Sequence, residues 1–455
     1  VSPRRAWYAV GVLTLAYAVA FVDRQILAMM VEPIRRDLQI GDFAVSLLLG
    51  LAFAAFYTVL GVPIARIADR SNRRNLIAAG ILLWSVATAA CGLARNYSQL
   101  FLARMSVGIG EAVLSPAALS LITDSFPRAQ LARAIAVYSI GMSTGGGIAT
   151  LLGALLLPQI LAAGTVSVPL AGEVRPWQAV FFLVGLPGLV VAALMLTVRE
   201  PPRGASRGAG GLPLATVFDY LRRQRRAVLG HFLGMSVLTI MGYGVGYWIP
   251  SFFLRSYALS PEAAREYLFA YGILSTLIGA GGIALGGWYA DRCQRQRSDG
   301  YLSAVLLGVV LLVPGYALFP LMPTPELALA LLALGVLGGS IPAAGGAAAL
   351  MLLAPGRMRA QLSALYYLTL NLLGLGLGPS LVAALTEFVF RDPAKLRWSI
   401  AIVALSAGAC AALTLASIRP AFRRAVAAAG EFDAQAAGRT TNSSAQVSAP
   451  RFSQE

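Results

Sequence analysis

Two acids and two bases sit inside stretches that otherwise hold almost only apolar side chains: Asp23 and Arg24 in the first long apolar run, Arg104 and Glu111 in the fourth. If those runs cross a membrane, each charge costs about 2.5 to 3.5 kcal/mol at the bilayer centre on insertion scales. Carboxylates in such places relay protons, and guanidiniums grip phosphate or carboxylate groups with a two-point fork. The residue types therefore point to ion coupling or to binding of an anionic substrate. Desolvation favours the protonated form of a buried acid and a nearby guanidinium the charged form, so withdrawing the guanidinium lets the acid take up a proton.

The elements that must position these groups are membrane helices. Of 455 residues, 58% are hydrophobic and 12% charged, and the mean hydropathy is +0.72, against roughly 25% charged in soluble domains. Apolar runs separated by short polar breaks predict twelve spans: 6–31, 43–67, 75–94, 99–123, 131–157, 177–198, 228–254, 263–290, 301–321, 326–353, 360–387 and 397–418. They fall into an N-terminal six-helix bundle (1–198) and a C-terminal one (227–418), joined by a basic, Gly/Pro-rich linker (199–226). A tail (419–455) follows, with a short helical stub and then a polar, Ser/Thr/Gln-rich end whose composition predicts disorder. Val1 to Arg5 lead straight into the first run, which is expected to act as its own membrane address.

Charge sets the orientation. With the N-terminus, linker and tail on one side, that side holds 25 basic residues and the other 9, while the acids divide 9 and 9. The positive side is cytoplasmic, so both termini are expected inside a bacterial cytoplasmic membrane. The formal charge of +16 lies in short loops, which argues against nucleic acid as a partner. Cys91, Cys293 and Cys410 have no metal-like spacing, and His231 is the only histidine. No metal site, no nucleophile–base pair and hence no enzyme is expected; the only coupling agent called for is the proton, and a monomer is the expectation.

Depth along the spans narrows the chemistry. Arg104 and Glu111 are seven residues apart, so they share a helix face about 10.5 Å apart along the axis. Span four runs inward, placing Glu111 near the midplane and Arg104 in the outer half. Span one runs outward and brings Asp23 to the depth of Arg104, so these two are expected to pair. Glu111, with no oppositely charged sequence neighbour, is then the expected proton carrier. Arg24 and Arg104 are candidates for holding an anionic headgroup.

A loop motif repeats between the halves. A-R-I-A-D-R-S-N-R-R runs from Ala65 to Arg74 after span two, and G-W-Y-A-D-R from Gly287 to Arg292 after span eight, with the A-D-R core 222 residues apart. Internal repeats of this kind mark secondary transporters. Here the chain resembles the major facilitator superfamily over nearly its whole length. The loop is similar to that family's G-x-x-x-D-R-x-G-R-R signature, with Ala65 and Asn72 in place of the usual glycines. R-M-S-V-G-I-G-E-A from Arg104 and G-M-S-T-G-G-G from Gly141 add to the likeness. A narrower resemblance is to the Spinster subfamily of lysolipid and sphingolipid transporters. It rests on F-V-D-R in span one, G-I-G-E-A-x-x-S-P in span four and N-L-L-G-L-G-L-G-P in span eleven.

The resemblance implies an all-α membrane fold of twelve helices in two pseudo-symmetric bundles, with spans one and four lining a central cavity. It also implies that Asp69 docks on a helix N-terminus across the interface between the halves. Arg70, Arg73, Arg74, Asp291 and Arg292 are the further gating candidates, and Asp124 is placed to pair with Arg73. Opposite the charges, Tyr243, Tyr247 and Trp248 in span seven and Tyr366, Tyr367 and Asn371 in span eleven are candidate lining for an amphiphile's apolar tail. Gly141, Gly145 and Gly153 have the spacing for close helix packing, and the glycines before Pro379 are expected to permit bending. The cluster Arg222 to Arg226 could meet anionic headgroups, although positive-inside topology accounts for it as well. The expected activity is proton-coupled transport of an amphiphilic anionic or zwitterionic lipid by alternating access. Transport of small organic anions such as sugar acids, or a receptor or scaffold role without transport, remain alternatives.

Overall fold

Among the described residues, twelve helices are long and apolar enough to cross a membrane: Pro3–Met29, Asp42–Gly61, Arg73–Cys91, Tyr97–Ser125, Arg133–Leu161, Pro176–Thr197, Arg225–Gly246, Pro261–Gln296, Gly300–Leu321, Pro325–Leu353, Gln361–Phe390 and Pro393–Ser417. The structure, a computed structural model, describes residues 2–162, 164–169, 171–201 and 214–432. Helices are the natural outcome, since in hydrocarbon every backbone N–H and C=O must be satisfied within its own segment. The helices are apolar on all faces, and side chains such as Leu277 and Leu413 stand out from the protein toward lipid. Polar residues start several of them. Asn72, Asn96, Ser260 and Thr324 each accept a backbone N–H three residues on, satisfying a donor the first turn leaves open. Outside the membrane, Val166–Val168 and Gly172–Val174 pair as a short antiparallel hairpin between spans five and six.

Two spans are interrupted where prolines remove a helical donor. Span four breaks between Tyr97–Glu111 and Leu114–Ser125, because Pro116 cannot donate to the carbonyl of Ala112. Glu111 thus closes the first segment of its helix. Span eleven passes through a wider π-turn over Asn371–Leu375 ahead of Pro379, which bends it where its glycines cluster. The carbonyl of Leu375, which Pro379 cannot bond, lies so near Gly50 of span two that a side chain there would come within 2.2 Å of it.

Close packing sets span one in place. A side chain at Gly145 of span five would meet the carbonyl of Ala18 at 2.3 Å, so the bare backbone lets span one lie directly against it. Tyr17 then stacks on Tyr138 of span five at 4.7 Å between ring centres. In span four, Gly108 allows the backbone of Phe53 in span two to approach, with a built side chain 2.7 Å from its carbonyl. These contacts bring spans one, two and four together around the four buried charges.

The halves are locked at their outer ends. Arg255, after span seven, donates to Glu32 Oε1 at 2.7 Å and through both terminal nitrogens to Asp42, at 2.7 and 2.8 Å. Arg35 adds a 3.6 Å contact to Asp42. Glu387 of span eleven accepts the N–H of Phe43 at 2.8 Å, so a carboxylate from one half caps the helix that opens span two in the other. Deeper, the hydroxyls of Ser46 and Ser380 meet at 3.2 Å. One arginine gripping two carboxylates ties the halves together at this end. At the opposite end of the C-terminal half, residues 419–432 form a helix seated on it through buried Phe422 and Ala425. Asp299 anchors it, accepting from Arg419 at 2.9 Å and from Arg423 at 3.1 Å. The rest of the tail, and most of the linker, lie outside the described residues.

Arg255→Gln should open the outer side. With Ser46→Cys as reporter, a membrane-impermeant maleimide applied from outside is expected to label the double variant and spare the protein that keeps Arg255; equal labelling would show that this arginine does not hold the halves together. Asp299 gives a pH test. Burial pushes its carboxyl up, but Arg419 and Arg423 outweigh that and hold it below the usual range. A carboxyl lowered by folding stabilises above its unfolded value of about 3.9 and loses that contribution as the pH falls through the folded value. Asp299→Asn should therefore lower the unfolding temperature at neutral pH, by about 1 to 3 kcal/mol of stability. In detergent melts the gap to the unmodified protein should shrink below pH about 3.9; a gap that does not change with pH would argue against the ionic anchor.

Candidate functional site: crossed ion pairs between spans one and four

Asp23 and Arg24 are neighbours on one helix, so their side chains leave it about 100° apart. Each finds a partner on span four. Asp23 Oδ1 accepts from Arg104 Nη1 at 3.2 Å, and Asp23 Oδ2 accepts from the hydroxyl of Thr88 in span three. Arg24 donates from Nε to Glu111 Oε2 at 2.6 Å. Asp23, Arg104 and Glu111 are each 1% exposed and Arg24 is 8% exposed. The shared depth of Asp23 and Arg104 does end in a contact. The reading of Glu111 as an acid standing alone does not hold, because the long Arg24 side chain reaches it from span one.

The two acids differ in how completely they are satisfied; Arg104 makes one bond, and its Nε is buried without a partner. Asp23 has a partner on each oxygen, whereas Glu111 has one bond only and its Oε1 is buried without a partner. Arg24 is held by Nε alone. Its two terminal nitrogens donate to no described acceptor and are not among the sealed polar atoms, so they stay reachable. Around this guanidinium stand three rings, with its carbon 4.5 Å from the centre of Phe53 and 4.8 Å from those of Phe21 and Tyr57. Ring faces attract a cation most strongly when water is excluded, so the rings can hold Arg24 while its anionic partner is exchanged.

The aromatic candidates divide. Trp248 is fully buried, donating to the carbonyl of Pro379 at 3.0 Å, and Tyr366 packs against His231 with ring centres 5.6 Å apart. Tyr247 is 3% exposed and stacks on Tyr243. Trp248 and Tyr366 are thus packing residues rather than cavity lining, because small neighbours such as Gly346 let the large rings sink between helices. Tyr243 and Asn371 are half-buried, and Tyr367 is exposed, its carbonyl accepting from the Asn371 amide.

The gating candidates take an unexpected shape. Arg73 does bond Asp124, at 2.5 Å, and also Glu200 at 2.7 Å; the Arg74 N–H donates to the other oxygen of Glu200. All of these lie within the N-terminal half and its exit into the linker, so the Arg73–Asp124 pair ties spans three and four together and cannot by itself close a passage between halves. Asp291 accepts from the Tyr301 hydroxyl at 3.0 Å, and Arg292 lies over Trp288, again within one half. The side chains of Asp69 and Arg70 lie outside the described residues. What the sequence reading missed is the outer lock. Glu32, Asp42, Arg255 and Glu387 look like ordinary loop charges, with Arg255 213 positions from Asp42, and no local spacing signals their meeting.

Comparisons place this geometry among known proteins. The family model described as Major Facilitator Superfamily matches residues 13–379. An MFS-type efflux pump of Mycolicibacterium smegmatis is 29% identical over 398 residues, covering 86% of this chain and 87% of the pump. Protein spinster homolog 1 of Homo sapiens is 29% identical over 303 residues, 63% of this chain but only 54% of the human protein, so the match spans about half of that longer relative. The crystal structure of a bacterial homolog to the human lysosomal transporter Spinster, inward-facing and unoccupied, superposes with a TM-score of 0.76 at 27% identity, covering 94% of this chain and 98% of that one. A family match across most of the chain, twelve spanning helices and this structural likeness lead to one conclusion: the chain belongs to the Major Facilitator Superfamily of membrane transporters and is related to its Spinster proteins.

Proposed function

We propose that the chain is a proton-coupled secondary transporter of a bacterial cytoplasmic membrane, with both termini inside, moving an amphiphilic anionic or zwitterionic lipid of lysophospholipid or sphingosine-phosphate type by alternating access. One observation carries the reading: the single-point contact of Arg24 with Glu111, which leaves two guanidinium nitrogens and one carboxylate oxygen unused. A phosphate or carboxylate headgroup can take the free fork of Arg24. Glu111, losing its only partner in a site closed to water, then holds a proton in preference to a charge. Proton and headgroup are linked because both turn on who occupies Arg24. Asp23, with a partner on each oxygen, keeps spans one, three and four in register meanwhile. The outer lock fits one phase of such a cycle, with access from outside shut.

Two features favour an amphiphile over a small polar anion. The groups that would meet a headgroup all lie in the N-terminal half, and the facing spans seven and eleven offer Tyr243, Tyr367 and Asn371 with no charge among them. The likeness to Spinster proteins supports the same substrate class. Each proton moved down the membrane potential supplies about 2.3 kcal/mol per 100 mV, enough to sustain roughly a fiftyfold gradient of substrate.

In proteoliposomes given a pH step, Glu111→Gln and Asp23→Asn should each lose proton-driven transport of a lysophospholipid. Full proton-dependent transport by both would sink the coupling scheme, and transport of sugar acids with no lysophospholipid movement would favour a small-anion substrate. Lysophospholipid should bind more tightly at acid than at alkaline pH, and Glu111→Gln should abolish that dependence. Arg24→Lys should weaken binding by tenfold or more, about 1.5 to 3 kcal/mol for lost charged hydrogen bonds, since an ammonium can neither fork nor lie flat between rings. Unchanged affinity in that variant would remove Arg24 from the headgroup site.

A further inference from the structure

Where span seven leaves the cytoplasm, a cavity of about 340 Å³ is lined by Arg223, Arg225, Arg226 and Arg424, with Ala227 and Ala421 among its other walls. That volume lies within the roughly 300 to 1,000 Å³ typical of small-ligand sites. Arg223 is paired with Asp219 at 2.9 Å. Arg225, Arg226 and Arg424 make no ion pair among the described residues, and no acid lines the cavity. Asp299, which meets the helix that carries Arg424, is already taken by Arg419 and Arg423. Positive-inside topology asks only that arginines lie on this side. It does not ask that four of them, from segments some 200 positions apart in sequence, converge on one hollow, where the mutual repulsion of the three unpaired ones is uncompensated.

The surroundings say what the missing anion carries. The helix Leu214–Arg223 packs through Val217, Tyr220 and Leu221 but leaves Phe218 67% exposed, an apolar ring beside a row of arginines. That pattern suits the headgroup layer of a bilayer. From Arg225, the residues one and two turns deeper along span seven are Leu229 and Leu233, each 50% exposed, on nearly the same helix face. A headgroup held by the arginines would thus lay its acyl chain along an open leucine wall. We infer that this cavity binds the negatively charged headgroup of a bilayer phospholipid, of the phosphatidylglycerol kind, as a site separate from the transport pathway.

The test uses the full chain purified in detergent, melted with added phosphatidylglycerol, with phosphatidylcholine of the same acyl chains, or with glycerol 1-phosphate. Phosphatidylglycerol alone should raise the unfolding temperature, and the gain should fade with salt. Its apparent affinity should fall about fivefold for each arginine removed and about a hundredfold in Arg225→Gln/Arg226→Gln/Arg424→Gln. Equal stabilisation by phosphatidylcholine, or full retention in the triple variant, overturns the site. Stabilisation by glycerol 1-phosphate at the same concentration makes it a soluble-anion site and overturns the lipid assignment. Should the triple variant not fold, a photoreactive phosphatidylglycerol on the unaltered protein decides: crosslinks are expected in residues 223–233 or 421–424, and crosslinks confined elsewhere refute the inference.

Discussion

An arginine in the middle of a bilayer has no water to share its charge with, so a carboxylate must be brought to it, and spans one and four do this twice. On insertion scales four such charges cost roughly 10 to 14 kcal/mol together. Two close pairs at an effective dielectric constant near 20 recover on the order of 4 kcal/mol each. The set returns less than it costs, and packed apolar residues would join the helices at least as well. Stability does not explain these residues. The proposed exchange of partners within the set would, and it would be easiest at the acid left least satisfied. Asp23 has both oxygens occupied; Glu111 has one.

The rest of the N-terminal half serves that arrangement. Gly145 lets span one lie against span five, and Gly108 lets span two lie against span four. Together they bring Phe21 and Phe53 up to Arg24. Pro116 ends the first segment of span four right after Glu111, so the acid sits at a joint in its helix. Thr88 of span three completes the shell of Asp23. Each of these is a packing or backbone device, and each acts by fixing where a charge can go.

Between the halves the logic is reversed. Contacts at the outer ends are ionic, exposed to water when parted, and built on one arginine gripping two acids. Such a lock can be made and broken because water compensates its charges once it opens, unlike the pairs buried between spans one and four. The glycines and Pro379 of span eleven lie next to it and give that helix a π-turn at which to bend. A breakable charged rim around a buried charged site is what a molecule needs if two halves are to rock about that site.

The sequence by itself determined the number and course of the spans, the identity of the four buried charges and the pairing of Asp23 with Arg104. All of these depend on composition or on depth, and depth follows from the constant rise of a helix. Only the tertiary structure decided that Arg24 meets Glu111, that Trp248 and Tyr366 are packed between helices, and that Arg255 ties the halves together on Glu32 and Asp42. Those facts depend on which way each helix is turned and which helix lies beside it. Rotation about a helix axis is set by packing against neighbours far off in sequence, and on helices apolar all round no periodicity betrays it.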